Sequence, residues 1–208
     1  MSQVQPLTRF CLIRHAIVAP EYLPVLYGQM DVPICPSRLS SDSRRYASLG
    51  AILPKPAHWV VTPLSRTRAT AEAIMQAGYG PVPLYVEAGL IEQDFGAWQG
   101  SAMTDFINRP TKHPFWPVGG EEIPPDGESF SQMRARVGPT MESLAKMHAG
   151  KTVIVVSHGG AIRAAIAEAL QLTSDQALSL AVDNLSISRL EHYGHAWRVV
   201  SLNEQMSI

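Results

Sequence analysis

Three short apolar runs each stop at a cluster of reactive residues, and this coincidence limits the chain more than any other feature. Thr152 to Val156 (TVIVV) is a β-branched run ending at Ser157-His158, the pattern of a strand buried on both faces. Arg9 to Ile13 (RFCLI) ends at Arg14-His15, and His58 to Val61 (HWVV) ends at Thr62-Pro63. Helical spacing follows. Leu64 to Ala77 carries Ala69, Ala73, Ile74 and Ala77 and closes at Gly78, while Gly160 to Leu170 (GAIRAAIAEAL) is Ala-rich and mostly apolar. Ser129 to His148 reads as an amphipathic helix closed by Gly150. Ser186 to Tyr193 and Trp197 to Leu202 read as two strands joined near Gly194. Strands alternating with helices predict an α/β fold with helices on both faces of a sheet.

Composition sets the outer bounds. A length of 208 residues is most economically one domain, 1–208. With 46% hydrophobic and 17% charged residues the chain is not of the disordered class. Seventeen basic against 18 acidic residues give a net charge of −1, which argues against a nucleic-acid partner held by bulk charge and leaves a local basic pocket open. Cys11 and Cys35 cannot form a disulfide framework. The stretch MSQVQPLTRFCLIRHAIVAP lacks the pattern of a secretion signal, and no apolar run reaches membrane-spanning length. A cytoplasmic location and no membrane partner are expected. A tail strand at a sheet edge leaves monomer and homodimer both open.

In an open α/β sheet, ligands bind beyond the carboxyl ends of the strands. Arg14-His15, Thr62-Pro63-Leu64-Ser65-Arg66 and Ser157-His158-Gly159-Gly160 all follow strands, and Glu92 follows the apolar segment Leu84 to Ile91. Singly, each is weak: with 13 arginines and 7 histidines, random order alone gives roughly 0.4 Arg-His pairs. Arg66 reads equally as a solvated helix start, and Gly159-Gly160 as a turn. Together the groups suit phosphoryl transfer. A neutral imidazole can attack phosphorus, guanidinium forks bind the equatorial oxygens, and a carboxyl group can protonate the leaving alkoxide and then activate water. The scheme requires no metal and no cofactor.

The motifs resemble those of the histidine phosphatase (phosphoglycerate mutase-like) superfamily. FCLIRHA (10–16) resembles its Arg-His-Gly signature, and VTPLSRTRATA (61–71) its Ser/Thr-Pro-Leu-x-Arg block. LIEQDFGAWQG (90–100) resembles the acid block, VSHGG (156–160) the last one, and YGQMDVP (27–33) the Gly-x-x-Asp-x-Pro segment. The resemblance implies His15 as phosphorylated nucleophile, Arg14, Arg66 and His158 as phosphate pocket, and Glu92 as proton donor. His158 counts among both the catalytic and the phosphate-binding residues. It also implies a mixed, mostly parallel sheet sandwiched by helices, with a cap insert over roughly 93–151. PPDGESF (124–130) resembles the start of the cap helix, and Glu128-Ser129 reads equally as helix-start chemistry. The implied partner is a small phosphorylated metabolite.

Two departures bear on activity. Ala16 stands where the family usually has glycine, a problem if that position needs a positive φ. Val18 stands where many members carry a hydroxyl, and Glu21 where mutases carry asparagine. A phosphatase is favoured over a mutase because Glu92 to Met133 offers only Arg109 and Lys112 as bases to hold a second acidic group. The Glu-x-x-Phe-Gly-x-Trp and Pro-Pro-x-Gly-Glu-Ser-Phe patterns look like the branch of α-ribazole and broad-specificity phosphatases. A weakly catalytic phosphate-binding member is the alternative from another class. His192-x-x-His195 is expected to be exposed turn residues rather than a metal site, and Cys11 core rather than nucleophile. Trp98, Phe115 and Trp116 read equally as pocket mouth and as packing, and the Pro-rich stretch Arg109 to Pro125 equally as lid and as surface loop.

Overall fold

A computed structural model describes residues 6–110 and 112–206. Residues 1–5, where the stretch read for a secretion signal begins, Thr111 of the Pro-rich stretch, and residues 207–208 lie outside it. Six strands form one sheet: β1 Thr8–Arg14, β2 His58–Val61, β3 Leu84–Val86, β4 Thr152–Ser157, β5 Ile187–His192 and β6 Trp197–Glu204. Their spatial order is β3-β2-β4-β1-β5-β6. The first four are mutually parallel, while β5 and β6 are antiparallel to their neighbours. The sheet is therefore mixed and mostly parallel.

Two apolar layers cover it, and strand periodicity divides the residues between them. Phe10, Leu12, Val60, Val153 and Val155 join one core with α4 (Phe130–Met147) and α5 (Gly159–Leu170). Cys11, Ile13, Trp59, Val61, Ile154 and Val156 face a second core built on α2 (Ser43–Ile52) and α3 (Ser65–Ile74). Cys11 is buried there. Two short helices, α1 (Pro36–Ser41) and α6 (Ser174–Leu178), complete the layers.

Helix ends follow local chemistry. Ser129 caps α4, accepting from the Gln132 amide while the Gln132 side chain accepts from the Ser129 amide. Helix α3 does not run unbroken to Ala77; it passes into a π turn at Met75–Tyr79, with Gly78 at φ 128°. The stretch 93–151 is not uniform: α4 belongs to the helical layer against the sheet, and the irregular segment 95–118 lies beside the strand ends. Phe95, Phe106 and Val118 of that segment form a small core together with Leu26. His192 is not an exposed turn residue. It is buried on β5, its Nε2 lying 3.4 Å from Glu142 and its ring packed on Trp197. Among the described residues no group of three metal-ligating side chains occurs.

Candidate active site

All five residues singled out from sequence meet at the carboxyl ends of the parallel strands. His15 follows β1 and is buried, with its amide donating to the Ser157 carbonyl at 2.9 Å and its carbonyl accepting from Asn184 Nδ2 at 2.8 Å. Its Nδ1 lies 2.7 Å from the Ala16 carbonyl. A carbonyl only accepts, so Nδ1 carries the proton and Nε2 keeps its lone pair. Burial, then the Arg66 and Arg14 charges, hold the His15 pKa well below the usual histidine range. The ring is thus neutral, with its lone pair on a defined atom.

Ala16 is an ordinary residue in this setting. It is not among the positive-φ positions, its methyl joins the second core, and its amide donates to Thr70 Oγ1 at 2.9 Å. The extra Cβ relative to glycine is absorbed by packing in that core.

His158 closes the other side, its ring centroid 5.3 Å from that of His15. Thr62 Oγ1 lies 2.9 Å from His158 Nε2. The Thr67 hydroxyl donates to the carbonyls of Leu64 and Thr62, and its oxygen lies 3.2 Å from Thr62 Oγ1, so the Thr62 hydroxyl has both that oxygen and His158 Nε2 within reach. The other ring nitrogen of His158, Nδ1, is buried with no partner among the described residues. Burial, then Arg66, His15, Arg14 and Arg136, push its pKa well below the usual range.

The guanidinium groups are anchored as well as charged. Arg66, on the first turn of α3, is fully buried and donates from Nη1 to Met30 O and from Nη2 to Gly28 O, each at 2.7 Å. Gly28 has φ +42° and an added Cβ would lie 2.6 Å from Gln99 Oε1, so only glycine presents that carbonyl to Arg66. Arg14 donates from Nη1 to Val182 O at 2.6 Å. The Nε atoms of both arginines are buried without a partner among the described residues. Buried N–H groups of this kind are normally paired, so two such guanidinium donors, whose charges act on His15, describe an anion site.

Glu92 reaches the same place by a route that depends on α5. Its Oε2 accepts the Gly160 amide at 3.2 Å and its Oε1 the Gln93 amide at 3.0 Å. Arg136 on α4 holds the backbone behind it, donating to the carbonyls of Gly89 (3.0 Å), Ile91 (2.9 Å) and Glu92 (2.9 Å). Glu128 pairs with Arg136 and accepts the Asp94 amide. Glu128 is therefore more than a helix-start residue.

Sequence reasoning missed four participants: Arg136, Asn184, Thr62 and Arg163. Arg163 is buried beside Gly159, where an added Cβ would lie 3.1 Å from its Nη1 and 3.4 Å from Arg14 Nε. It donates from Nε to Leu180 O and lies under the Trp116 ring. Burial, then the Arg14 charge, lowers its pKa to about 10. Of the three aromatic residues, Phe115 and Trp116 line the cavity in front of the site, whereas Trp98 packs on Phe106 beneath Arg109.

The model of the histidine phosphatase superfamily (branch 1) matches residues 10–205. The chain belongs to that superfamily. Family and mixed α/β fold agree with the sequence reading. A bifunctional protein of Mycobacterium tuberculosis is 33% identical over 147 residues, which cover 70% of this chain and 40% of that protein. The chain thus spans about two-fifths of the length of the first curated relatives it matches. The uncharacterized phosphatase PhoE of Bacillus subtilis is 24% identical over 200 residues, 95% of each chain. The mycobacterial glucosyl-3-phosphoglycerate phosphatase has the same fold, with a TM-score of 0.79 at 24% identity, covering 96% of this chain and 100% of the other.

Proposed function

We propose that the chain hydrolyses phosphate monoesters of small metabolites through a phosphohistidine on His15, without a metal. The observation that carries this reading is the pairing of the His15 Nδ1 proton with Ala16 O, beside Arg14 and Arg66, whose charges act on this ring and whose Nε–H groups are buried without a partner among the described residues, and beside the His158 ring at 5.3 Å. His15 Nε2 attacks phosphorus, forming an N–P bond as the ester P–O bond breaks. The departing oxygen takes a proton from Glu92, which then removes one from the incoming water as the N–P bond is cleaved. Arg14, Arg66 and His158 hold the equatorial oxygens through both displacements.

Two features weigh against the competing functions. Arg109 is tied to Glu122 and stacked on Trp98, so it is not free to hold the second acidic group a mutase needs. Ala16 sits in ordinary backbone, which removes one ground for a binding-only member. The finer assignment to α-ribazole phosphate rests on the Phe-Gly-x-Trp and Gly-Glu-Ser-Phe patterns; ranking among the poorest of a phosphomonoester panel would refute it.

The test of the reaction is turnover of p-nitrophenyl phosphate in chelator, wild type against His15→Ala, with acid-labile phosphate trapped on the wild type. Turnover lost in the variant is the expected result. No turnover with a stable label favours a mutase, and neither turnover nor label favours a binding-only protein.

A further inference from the structure

The site lies in a cavity of about 270 Å³ that runs from Arg14 and Glu92 outward and whose walls are mostly apolar, with Tyr27 and Asn184 as uncharged polar side chains. Val18, Leu23, Val25, Met103, Phe115 and Trp116 supply most of that wall. The only charged side chains on it, among the described residues, are Arg14 and Glu92, and both belong to the phosphate machinery. Among the described residues none of the other neighbouring cations lines this cavity, and Arg163, whose Nη1 is buried without a partner among those residues, lies beside Gly159. Arg109 pairs with Glu122 and lies 4.1 Å over the Trp98 ring, Lys112 Nζ donates to Ile107 O, and Arg163 Nε donates to Leu180 O. At the rim, Phe115 is 70% exposed, a large apolar surface left in water beside the opening.

We infer that the alcohol carried by the substrate is uncharged and apolar, an arylalkyl or alkyl group seated between Val18 and the Phe115–Trp116 wall. This inference rests on the phosphomonoesterase reading and adds the substrate class to it. A carboxylate or ammonium group brought into this space would lose its hydration with no opposite charge to replace it. An apolar group of the same size gains by leaving water and covers Phe115 as it does so. Val18 matters particularly, because it puts a buried isopropyl group on the cavity wall where a hydroxyl would have served a polar ligand. The volume lies at the small end of ligand pockets, which matches one ring or a short chain and so speaks against α-ribazole phosphate, itself a nucleotide, as the substrate.

The decisive comparison is benzyl phosphate against phosphoserine. Both release a primary alcohol, so their intrinsic reactivity is similar and the ratio of kcat/KM reports the vestibule. Benzyl phosphate is expected to exceed phosphoserine by roughly ten- to a hundredfold. Phe115→Ala, a change at an exposed position that leaves the core intact, should narrow that ratio by lowering the benzyl ester more. Equal or faster turnover of phosphoserine would overturn the inference, as would a Phe115→Ala loss of the same size on both esters. The same ranking is read without chemistry from the binding of benzylphosphonate and phosphonoacetate. Absence of all turnover with benzylphosphonate bound more tightly would sink the hydrolase reading and leave the apolar vestibule standing. Tighter phosphonoacetate binding would sink the vestibule alone.

Discussion

The Glu92 carboxylate lies against the bare face of Gly160, accepting its amide at 3.2 Å, and a Cβ at that position would overlap Glu92 Oε1. The second glycine of the Ser-His-Gly-Gly sequence is thus required by close approach of a carboxylate rather than by a turn. Gly160→Ala is expected to displace Glu92 while α5 still forms, because alanine favours helix. The kcat for an alkyl phosphate should fall by about 10²–10⁴, the range a positioned acid contributes. Circular dichroism checks the fold, and unchanged kcat would show that Glu92 is not the proton donor.

Arg136 positions Glu92 from behind, through three backbone carbonyls. If its function is to aim the acid, the loss in Arg136→Met depends on how much the leaving group needs a proton. We expect a loss of about 10²-fold on benzyl phosphate and little change on p-nitrophenyl phosphate, whose phenolate leaves unassisted. Arg136→Lys should recover part of the difference. Because both esters are read on the same preparation, partial unfolding cancels from the ratio. Equal losses on the two esters would mean that the residue is merely structural.

Arg66 has two duties, and two measurements separate them. Arg66→Met leaves the carbonyls of Gly28 and Met30 without their donor, at a cost of about 2–4 kcal/mol in urea unfolding, offset in part by relief of repulsion from Arg14. Arg66→Lys keeps the charge but not the fork, so competitive inhibition by inorganic phosphate should weaken by roughly tenfold or more. Undiminished phosphate inhibition in Arg66→Lys would remove this residue from the anion site.

Acidity should weaken the fold through the two buried histidines. Both have folded-state pKa values far below the 6.5 of an exposed ring. Below pH 6.5 the unfolded chain takes up protons that the folded chain refuses. Stability is therefore full above 6.5 and falls as pH drops, by up to about 1.4 kcal/mol per pH unit for each ring. Melting temperatures between pH 6.5 and 5.5 should decline less steeply in His158→Gln than in the wild type. Parallel slopes would contradict this account.

Much of this arrangement was legible in the residue order, for reasons the structure makes plain. Strands β1, β2 and β4 are apolar on both faces and end at polar pairs, a signal carried by four to seven consecutive residues. Helix α5 is buried almost throughout, so its composition marks it. Helices α1 and α2, residues 36–52, left little trace, because serines and arginines face solvent and only Tyr46, Leu49 and Gly50 are buried. Three-residue β3 and five-residue α6 are too short for any periodicity to accumulate. Asn184 and Arg136 act on backbone atoms far away in sequence, and no local pattern announces such contacts.

The sheet order has a further consequence for how the protein comes into being. Strand β1, which ends beside the nucleophile, is flanked by β4 and β5. Neither neighbour exists until the chain has grown to residues 152–157 and 187–192. At roughly 5–20 residues per second, a ribosome takes about 10–35 s to travel from Arg14 to His192. Both edges of Phe-Cys-Leu-Ile stay bare until β4 is made, and one edge until β5 follows, so this apolar segment is exposed to mispairing for most of synthesis and gains from a chaperone's protection.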